Sequence, residues 1–367
     1  METIVKTATL KAAFMKLTKF QSISKGSMEY VQVQVEADAV TLVASTSNSD
    51  TLSAHVTVKV PATTYSNGTT FFPFTKMHNL IKKTKDKEMT ITKDTVSNTK
   101  ASLTRGWSDD SSLPFYICPR QEEKLVTMPK ANFKKALTKV LYAASTGDSR
   151  PVLACINFAF KGDEMTFTST DSHRLAQYKT AITSDALVRD VSVHSKLLSK
   201  LISVFEKEDT LLTIGLPMSD SYTSYAFDDM TVILSSNQTS NYPDVSRLLD
   251  VTPLTEFSMQ TTDLYDAVDM ARATTVLDEN EKIMLTVDSF KFKVQASDGQ
   301  TNFESAVDVQ DYYGDAQGLK CNASFLLDAL KALDGTVKVC LQEHLKPLLF
   351  TSHCADGKES HLILPIR

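Results

Sequence analysis

The sequence is poor in the features that mark secreted, metal-binding and membrane-spanning proteins. Its five cysteines are scattered, odd in number and form no C-x-x-C pair, which indicates buried thiols and argues against disulfides or a zinc site. No apolar run approaches the roughly 18 residues of a membrane-spanning helix. The first eleven residues, METIVKTATLK, lack the apolar stretch of a signal peptide. We therefore expect a cytoplasmic protein with no metal, no cofactor and no membrane partner.

Sequence patterns for catalysis are missing as well. There is no P-loop, no G-x-G-x-x-G and no pair of catalytic carboxylates, and the histidines lack metal-ligand spacing. Asp171, Ser172 and His173 have the residue types of a nucleophilic triad, but neighbours along a strand point to alternate faces and cannot converge. A cytosolic hydrolase using His173 is thus the least supported interpretation, and we predict that the chain is not an enzyme.

One five-position pattern occurs three times, each copy 125 residues after the last. It consists of two alternating apolar residues, an aspartate, and two more alternating apolar residues. Apolar residues at period two mark a half-buried strand, and the aspartate between two such runs marks a hairpin turn. The constant spacing predicts one domain repeated three times. The copies are Val33, Val35, Asp38, Val40 and Leu42; Phe158, Phe160, Asp163, Met165 and Phe167; and Ile283, Leu285, Asp288, Phe290 and Phe292.

Each third also carries two amphipathic stretches with apolar residues on one helical face. The first stretches cover 8–20, 131–143 and 262–273, and the second cover 74–83, 195–205 and 323–333. Thr, Ser or Asn residues suited to an N-cap precede the second set. The order helix, hairpins, helix, hairpins predicts an α+β fold in which two helices pack on antiparallel sheet in each repeat. We place the domains at 1–121, 122–250 and 251–367, which suits a chain of 367 residues.

Charge is spread unevenly over these domains. Their net charges are +5, −2 and −8, within a total of −5. Helices of the first two repeats nevertheless present lysines on their predicted polar faces. For any single helix a solvated surface is the ordinary explanation, but four helices with the same bias indicate a basic surface.

Four segments carry a family resemblance: RPVL at 150–153, STDSHRLA at 169–176, YPDVSRLL at 242–249 and LILPIR at 362–367. In this order and spacing they resemble the bacterial DNA polymerase III beta subunit family, the replication sliding clamps. The resemblance covers the second and third repeats well and the first least. It implies a DNA-clamp fold in which two subunits associate head to tail into a closed ring of six similar domains. Such a ring encircles duplex DNA and tethers the replicative polymerase without catalysing a reaction.

The resemblance also implies a pocket that binds short client peptides carrying a glutamine and apolar residues. Taken without the family, Leu175, Leu248 and Leu364 would be ordinary core residues. The matching positions are Leu153, Thr170, His173, Arg174, Leu175, Pro243, Leu248, Pro347, Leu362, Leu364, Pro365, Ile366 and Arg367.

Further expectations concern DNA and ring closure. Of the lysines, Lys196 matches a DNA-contact position of the family, and the others are placed by helix face alone. The predicted DNA-binding set is Lys11, Lys16, Lys82, Lys83, Lys134, Lys135, Lys139, Lys196 and Lys200. Val276 and Leu277 match apolar residues of the dimer interface. The expected partners are double-stranded DNA bound without regard to sequence, the replicative polymerase, a clamp loader, further peptide clients and a second copy of the chain, at the nucleoid. An alternative is a divergent or mobile-element paralogue that binds clients as a decoy without ring loading.

Overall fold

The computed structural model describes most of the chain. The described residues are 1–21, 28–46, 52–106, 123–147, 149–184, 187–206, 209–217, 222–237, 242–279, 281–288, 290–342, 345–354 and 356–366. Cys155, Cys321 and Cys340 are buried thiols, whereas Trp107 and Cys118 lie outside the described residues.

The six predicted helices are confirmed to within a few residues, and one short helix was not predicted. The helices are α1 (Thr7–Thr18), α2 (Phe74–Lys83), α3 (Lys130–Val140), α4 (Ser195–Ser203), α5 (Ser246–Leu249), α6 (Thr261–Thr274) and α7 (Ala323–Ala332). Two 3₁₀ turns cover Leu141–Ala143 and Pro151–Ala154. The apolar faces are buried as predicted, for example at Leu10, Phe14 and Leu17 of α1.

The helix N-caps match the prediction at one of the three second helices. Asn322 caps α7 by accepting a hydrogen bond from the Phe325 amide. The ring of His194, and not a serine, caps α4, and Pro73 precedes α2 without a side-chain cap. The prediction from residue type was therefore wrong at α2 and α4.

The strands form antiparallel pairs throughout the described ladders. In chain order they are β1 (Glu2–Lys6), β2 (Tyr30–Glu36), β3 (Ala39–Thr46), β4 (Ala54–Ser66), β5 (Gly68–Pro73), β6 (Glu88–Thr92), β7 (Thr95–Ser97), β8 (Ser102–Thr104), β9 (Glu123–Pro129), β10 (Cys155–Gly162), β11 (Glu164–Thr170), β12 (Arg174–Ala181), β13 (Thr183–Ser184), β14 (Leu187–His194), β15 (Leu211–Pro217), β16 (Tyr222–Phe227), β17 (Met230–Asn237), β18 (Thr255–Gln260), β19 (Lys282–Val287), β20 (Lys291–Ser297), β21 (Asn302–Asp308), β22 (Gln310–Gly314), β23 (Gln317–Asn322), β24 (Thr336–Leu341), β25 (Leu348–Cys354) and β26 (Gly357–Ile363).

The three predicted hairpins are present, and two have the predicted register. Val35 pairs with Val40 across β2 and β3, and Phe160 pairs with Met165 across β10 and β11. In the third copy Val287 pairs with Phe292. The turn lies two positions later there, and within it the Asp288 carboxylate accepts the amides of Phe290 and Lys291. Phe290 is consequently 76% exposed, so its predicted place on the inner face of a strand was wrong.

The chain divides into two compact units. One comprises Met1–Ala131, Thr183–Asp185 and Val193–Gln238, and the other comprises Asn132–Ile182, Ala186–Ser192 and Thr239–Arg367. Each unit therefore takes in parts of two predicted domains, and the three-domain limits at 121 and 250 stay a prediction.

Sheet pairing joins neighbouring repeats inside each unit. Each junction between two repeats is called a seam below. In the first unit β4 pairs with β17, with Val56 opposite Val232. In the second unit β12 pairs with β26, with Leu175 opposite Leu362. A Cβ on Gly357 would lie 2.3 Å from the Lys179 carbonyl oxygen, so glycine permits this close approach of β26 to β12. The pairing brings the C-terminal strand to the STDSHRLA segment.

Candidate functional site

The turn between β11 and β12 is held by its own side chains. One carboxylate oxygen of Asp171 accepts the amides of His173 and Arg174, each at 2.9 Å, and the other accepts Arg174 Nε at 2.9 Å. Thr170 Oγ1 donates to the Arg174 carbonyl at 2.7 Å. Ser172 takes a left-handed conformation with φ of 78°. Asp171 is thus engaged in shaping the turn, which is the ordinary role of aspartate at such a position.

Arg174 is fixed on every side. Its guanidinium lies 4.7 Å from the ring centre of Phe325 and 5.4 Å from that of Tyr142. Its Nη1 donates to Asp328 at 2.6 Å, in addition to the bond to Asp171. Stacking and a fork of hydrogen bonds suit arginine better than lysine. The side chain is therefore positioned before any ligand arrives.

An apolar cluster lies beside this turn. Leu175 and Leu362, opposite each other on β12 and β26, are buried with Val245, Cys340 and Leu349. The amide of Leu364 donates to the His173 carbonyl at 2.9 Å, which holds the C-terminal segment against the turn. Leu364 is 36% exposed and Leu248 is 45% exposed. Exposed leucines above a buried apolar floor are suited to receiving apolar side chains of a peptide.

The structure brings together much of the predicted peptide-binding set. Thr170, His173, Arg174, Leu175, Leu362 and Leu364 are joined by the contacts given above. Pro365 and Ile366 follow Leu364, and the Ile366 amide donates to the Lys320 carbonyl at 2.8 Å. Leu153 is buried in the 3₁₀ turn 151–154, Pro243 is exposed, and Pro347 is half-buried. Arg367 lies outside the described residues.

The same face of the sheet continues as a polar groove. A cavity of about 660 Å³ is lined along β12 by Gln177 and Lys179 and along β26 by Lys358 and Ser360. These residues lie two and four positions from Leu175 or Leu362 along their strands, so their side chains are on the same face of the sheet. The chain at 242–250 borders the cavity. The apolar cleft therefore ends in a polar region in which a longer peptide has room to continue.

A buried polar cluster lies on the opposite face of β26. Tyr142 Oη and His361 Nδ1 are 2.8 Å apart, and their rings stack with centres 5.8 Å apart. His361 Nε2 lies 3.5 Å from Glu359 Oε2, which Lys139 Nζ approaches to 3.2 Å. The side chains of Lys139, Glu359 and His361 are more than nine-tenths buried, and Tyr142 is half-buried. The cluster joins α3 and the 3₁₀ turn of the second repeat to β26 of the third.

The His361 ring predicts a pH dependence of stability. Burial, opposed in part by Glu359, holds the pKa of His361 below its ordinary value of 6.5. Below pH 6.5 the unfolded chain therefore binds a proton at this ring more readily than the folded chain does. The free energy of unfolding is greatest above pH 6.5 and decreases as the pH is lowered further. The limiting slope for one proton is about 1.4 kcal/mol per pH unit.

Urea unfolding between pH 7.5 and 5 measures this effect. The His361→Phe variant is expected to show a shallower acid decline than wild type, and the exposed His353→Gln variant is expected to keep the full decline. Equal slopes in wild type and His361→Phe would contradict the assignment.

The predicted DNA-binding lysines differ in availability. Lys82, Lys83 and Lys196 are exposed, and Lys134, Lys135 and Lys200 are half-buried. Lys11 Nζ donates to the Thr84 carbonyl at 2.7 Å. Lys16 and Lys139 were expected on polar helix faces, but this placement was wrong. Their side chains are only 12% and 7% exposed, because each forms ion pairs with carboxylates of the neighbouring repeat.

These two buried lysines occupy the same place in successive repeats. Each lies nine residues after the first residue of its helix, α1 or α3. Lys16 pairs with Glu206 at 3.6 Å, and Lys139 pairs with Asp334 at 2.7 Å. Glu206 and Asp334 are also equivalent, since each lies eleven residues after the first residue of α4 or α7. The two seams inside the chain thus carry the same ion pair.

The remaining predicted site residues lie at the surface of the second unit. Val276 is 80% exposed, and Leu277 packs partly against the core. Within the described ranges, no group of three or more His, Cys, Asp or Glu residues is placed to hold a metal ion. None of the helices in that same part of the chain has the length and apolar character needed to cross a membrane.

Several residues at the site were not predicted from the sequence. Asp171 had a recognisable signal, because aspartate before a turn caps following amides. Asp328, Tyr142 and Phe325 had none, since 154 positions separate Arg174 from Asp328. Val245, Cys340 and Leu349 resembled any other core residues.

Comparison with known proteins finds matches to two domains of one protein family. Residues 127–244 match the model of the DNA polymerase III beta subunit central domain, and residues 249–367 match that of its C-terminal domain. The beta sliding clamps of Staphylococcus epidermidis and Staphylococcus aureus are each 26% identical over 236 residues, covering 64% of this chain. The matched region spans 62% of the length of these relatives.

Solved structures match over the whole chain. The DNA polymerase sliding clamp of Bacillus subtilis superimposes with a TM-score of 0.87 at 20% identity, covering 100% of this chain and 99% of that one. The beta subunit of Streptococcus pyogenes DNA polymerase gives 0.87 at 19% identity, covering 100% of both chains. By its fold, the chain therefore belongs to the sliding-clamp class.

Within that class the assignment is specific. The chain belongs to the DNA polymerase III beta subunit family. This family is non-catalytic, in agreement with the prediction that the chain is not an enzyme.

Proposed function

We propose that this protein is a DNA sliding clamp that encircles duplex DNA and tethers a replicative polymerase and other peptide-bearing clients for processivity. The observation that carries the proposal is the repeated seam. The third strand after a repeat's first helix, β4 or β12, pairs with the last strand of the following repeat, β17 or β26. The corresponding strands left over are β21 in the third repeat and β8 in the first. In the described ladders each pairs on one side only, β21 with β20 and β8 with β7.

Two such edges are complementary when two copies meet head to tail. β21 of one copy then pairs with β8 of the other, and two equivalent contacts close a ring. A heterologous contact that closes in this way leaves no free edge on either copy. The exposed Val276 and the partly buried Leu277 lie near this end of the third repeat, since the Val276 amide donates to Asp298 in the loop before β21.

At this third seam, both members of the ion pair found at the two inner seams are replaced. Met270 of α6 occupies the place of Lys16 and Lys139, and Lys85 occupies the place of Glu206 and Asp334. The neighbouring α6 residues Asp266 and Asp269 are exposed. We infer that aspartates of α6 face lysines after α2 of the second copy. Opposite charges at the seam steer association and make it salt-sensitive.

A ring grips DNA through its topology, so the cations that face DNA contact phosphates weakly and without base readout. The exposed lysines Lys82, Lys83 and Lys196 are the best placed for such contacts, with Lys134, Lys135 and Lys200 as partly buried contributors. The clients, the polymerase and a clamp loader are assigned to the cleft around Arg174 and Leu364. The site of action is the cytoplasm at the nucleoid.

Ring closure is tested by sedimentation and by retention on plasmid. Wild type is expected to be a dimer. Once the ring has been assembled around a nicked circular plasmid by lowering the salt concentration, it is expected to remain with the plasmid during gel filtration until the plasmid is linearised. Lys85→Glu is expected to weaken the dimer at least tenfold by placing like charges together, and Lys85→Glu/Asp266→Lys is expected to recover most of that loss.

The control for general charge effects is Lys346→Glu, an exposed lysine remote from the inferred seam in sequence. Retention that persists on linear DNA would overturn the encircling mechanism. A monomer that binds client peptide but is not retained on circles would instead support the decoy alternative, which the weaker family resemblance of the first repeat favours.

A further inference from the structure

A cavity of about 560 Å³ lies at the start of α1 in the first unit. It is lined by Lys6, Thr7 and Ala8 at the helix N-terminus, by Lys11 one turn further, and by the segment 84–88. All of these residues belong to the first unit.

The helix N-terminus itself is suited to an anion. Backbone amides of a first helical turn lack partners within the helix and carry a partial positive charge. The first turn of α1 contains no acidic residue, and Lys6 provides no side-chain cap. The Thr7 amide donates to the Lys87 carbonyl, which ties the segment 84–88 to the helix.

The Thr7 hydroxyl provides a second, independent indication of an anion site. The residue is only 4% exposed, and its Oγ1 has no hydrogen-bond partner in the described part of the protein. The third repeat provides an internal comparison. There Thr261 begins α6 in the same way, its amide bonds the Gly335 carbonyl, and its hydroxyl donates to that carbonyl at 2.9 Å. A buried hydroxyl without a hydrogen-bond partner lowers the stability of the fold, so binding of a ligand that accepts a hydrogen bond from it would be favoured.

The charge around the cavity is positive. Lys6, Lys11, Lys85 and Lys87 line it. Of the two acidic residues there, Asp86 is engaged by the amide and hydroxyl of Thr99, and Glu88 lies opposite Lys6 in the β1–β6 ladder. The equivalent helix of the second repeat begins with Lys130, whose ammonium is buried and paired with Asp228 at 2.6 Å. The third carries Asp263 in its first turn.

We propose that this cavity is a phosphate-binding site, formed by the α1 N-terminus, the Thr7 hydroxyl and the surrounding lysines. Helix N-termini bind phosphate through backbone amides, and lysines add charge without requiring a fixed geometry. The phosphate comes either from a DNA backbone or from a free phosphate compound. Every group named belongs to one unit of one chain. Because Lys85 is also inferred to face the second copy, the test uses Thr7 and Lys87, which are not assigned to the ring seam.

Calorimetric titration of the full-length protein tests the site with two probes: inorganic pyrophosphate and a 12-base-pair DNA duplex. Thr7→Val removes the hydroxyl with little change of shape and is expected to weaken binding about tenfold, as is Lys87→Met. Thr7→Ser, which restores a hydroxyl, is expected to recover most of the affinity. Thr261→Val is the matched control and should leave affinity for both probes unchanged.

Loss of affinity for both probes, or for either one, supports the site and identifies the source of its phosphate. Unchanged affinity for both probes in a folded Thr7→Val protein would overturn the proposal. An equal loss in Thr7→Val and in Thr261→Val would also overturn it, since both variants would then act through folding alone. Circular dichroism and sedimentation of each variant separate this outcome from a failure of ring closure.

Discussion

Replacing Lys139 by methionine is expected to lower the free energy of unfolding by about 3 to 5 kcal/mol. The Lys139 ammonium lies between Asp334 at 2.7 Å and Glu359 at 3.2 Å, and Glu359 is only 2% exposed. Removing one member of a buried ion pair leaves the other charge without a partner in a poorly solvated place. Urea unfolding followed by circular dichroism at pH 7.5 measures the change.

Two control variants separate this cause from a general effect of lost lysines. Lys135 is on the same helix and bonds Asp356 at 3.1 Å, with side chains 33% and 50% exposed. Because exposed pairs contribute little, Lys135→Met is expected to cost no more than about 1 kcal/mol. Lys139→Met/Glu359→Met should cost less than Lys139→Met alone, because both charges are then absent. A double variant that is less stable than the single one would contradict this explanation.

Peptide binding is expected to fall by at least about 30-fold in Arg174→Ala and again in Leu364→Ala. Arg174 holds the turn through Asp171 and reaches Asp328, so its loss disorders the polar rim of the cleft. Leu364 is the exposed apolar residue next to that rim. Central arginine and apolar anchors often contribute 2 kcal/mol or more to an interface. Fluorescence anisotropy with a labelled peptide carrying glutamine, leucine and phenylalanine measures both losses.

Matched variants make the peptide experiment specific. Leu254→Ala removes a leucine that is 48% exposed and outside the predicted set, and it should bind as wild type does. Arg174→Lys retains the charge but loses the planar stack between Tyr142 and Phe325, so its affinity should remain well below wild type. Wild-type affinity in the Arg174→Ala/Leu364→Ala double variant would refute the assignment of the cleft.

The repeated architecture was accessible from the sequence because local patterns encode it. Apolar residues at period two around an aspartate predicted the hairpins at 30–46 and 155–170, and helical spacing predicted the six long helices. The same logic failed at Phe290, because the third turn lies two positions later than in the other copies and Phe290 falls within it. It also failed at Lys16 and Lys139, which look like surface lysines until the partner repeat supplies carboxylates.

By itself, the sequence determined which segments become helices and strands and that the unit is repeated, and it located the motif around which the client cleft is proposed. These features depend on side-chain spacing over a few residues, and spacing is visible in one dimension. Only the tertiary structure decided that Arg174 meets Asp328, that His361 is buried against Tyr142, and that equivalent lysines close two seams. Such contacts depend on how segments more than a hundred positions apart pack together, and no local preference along the chain specifies that packing.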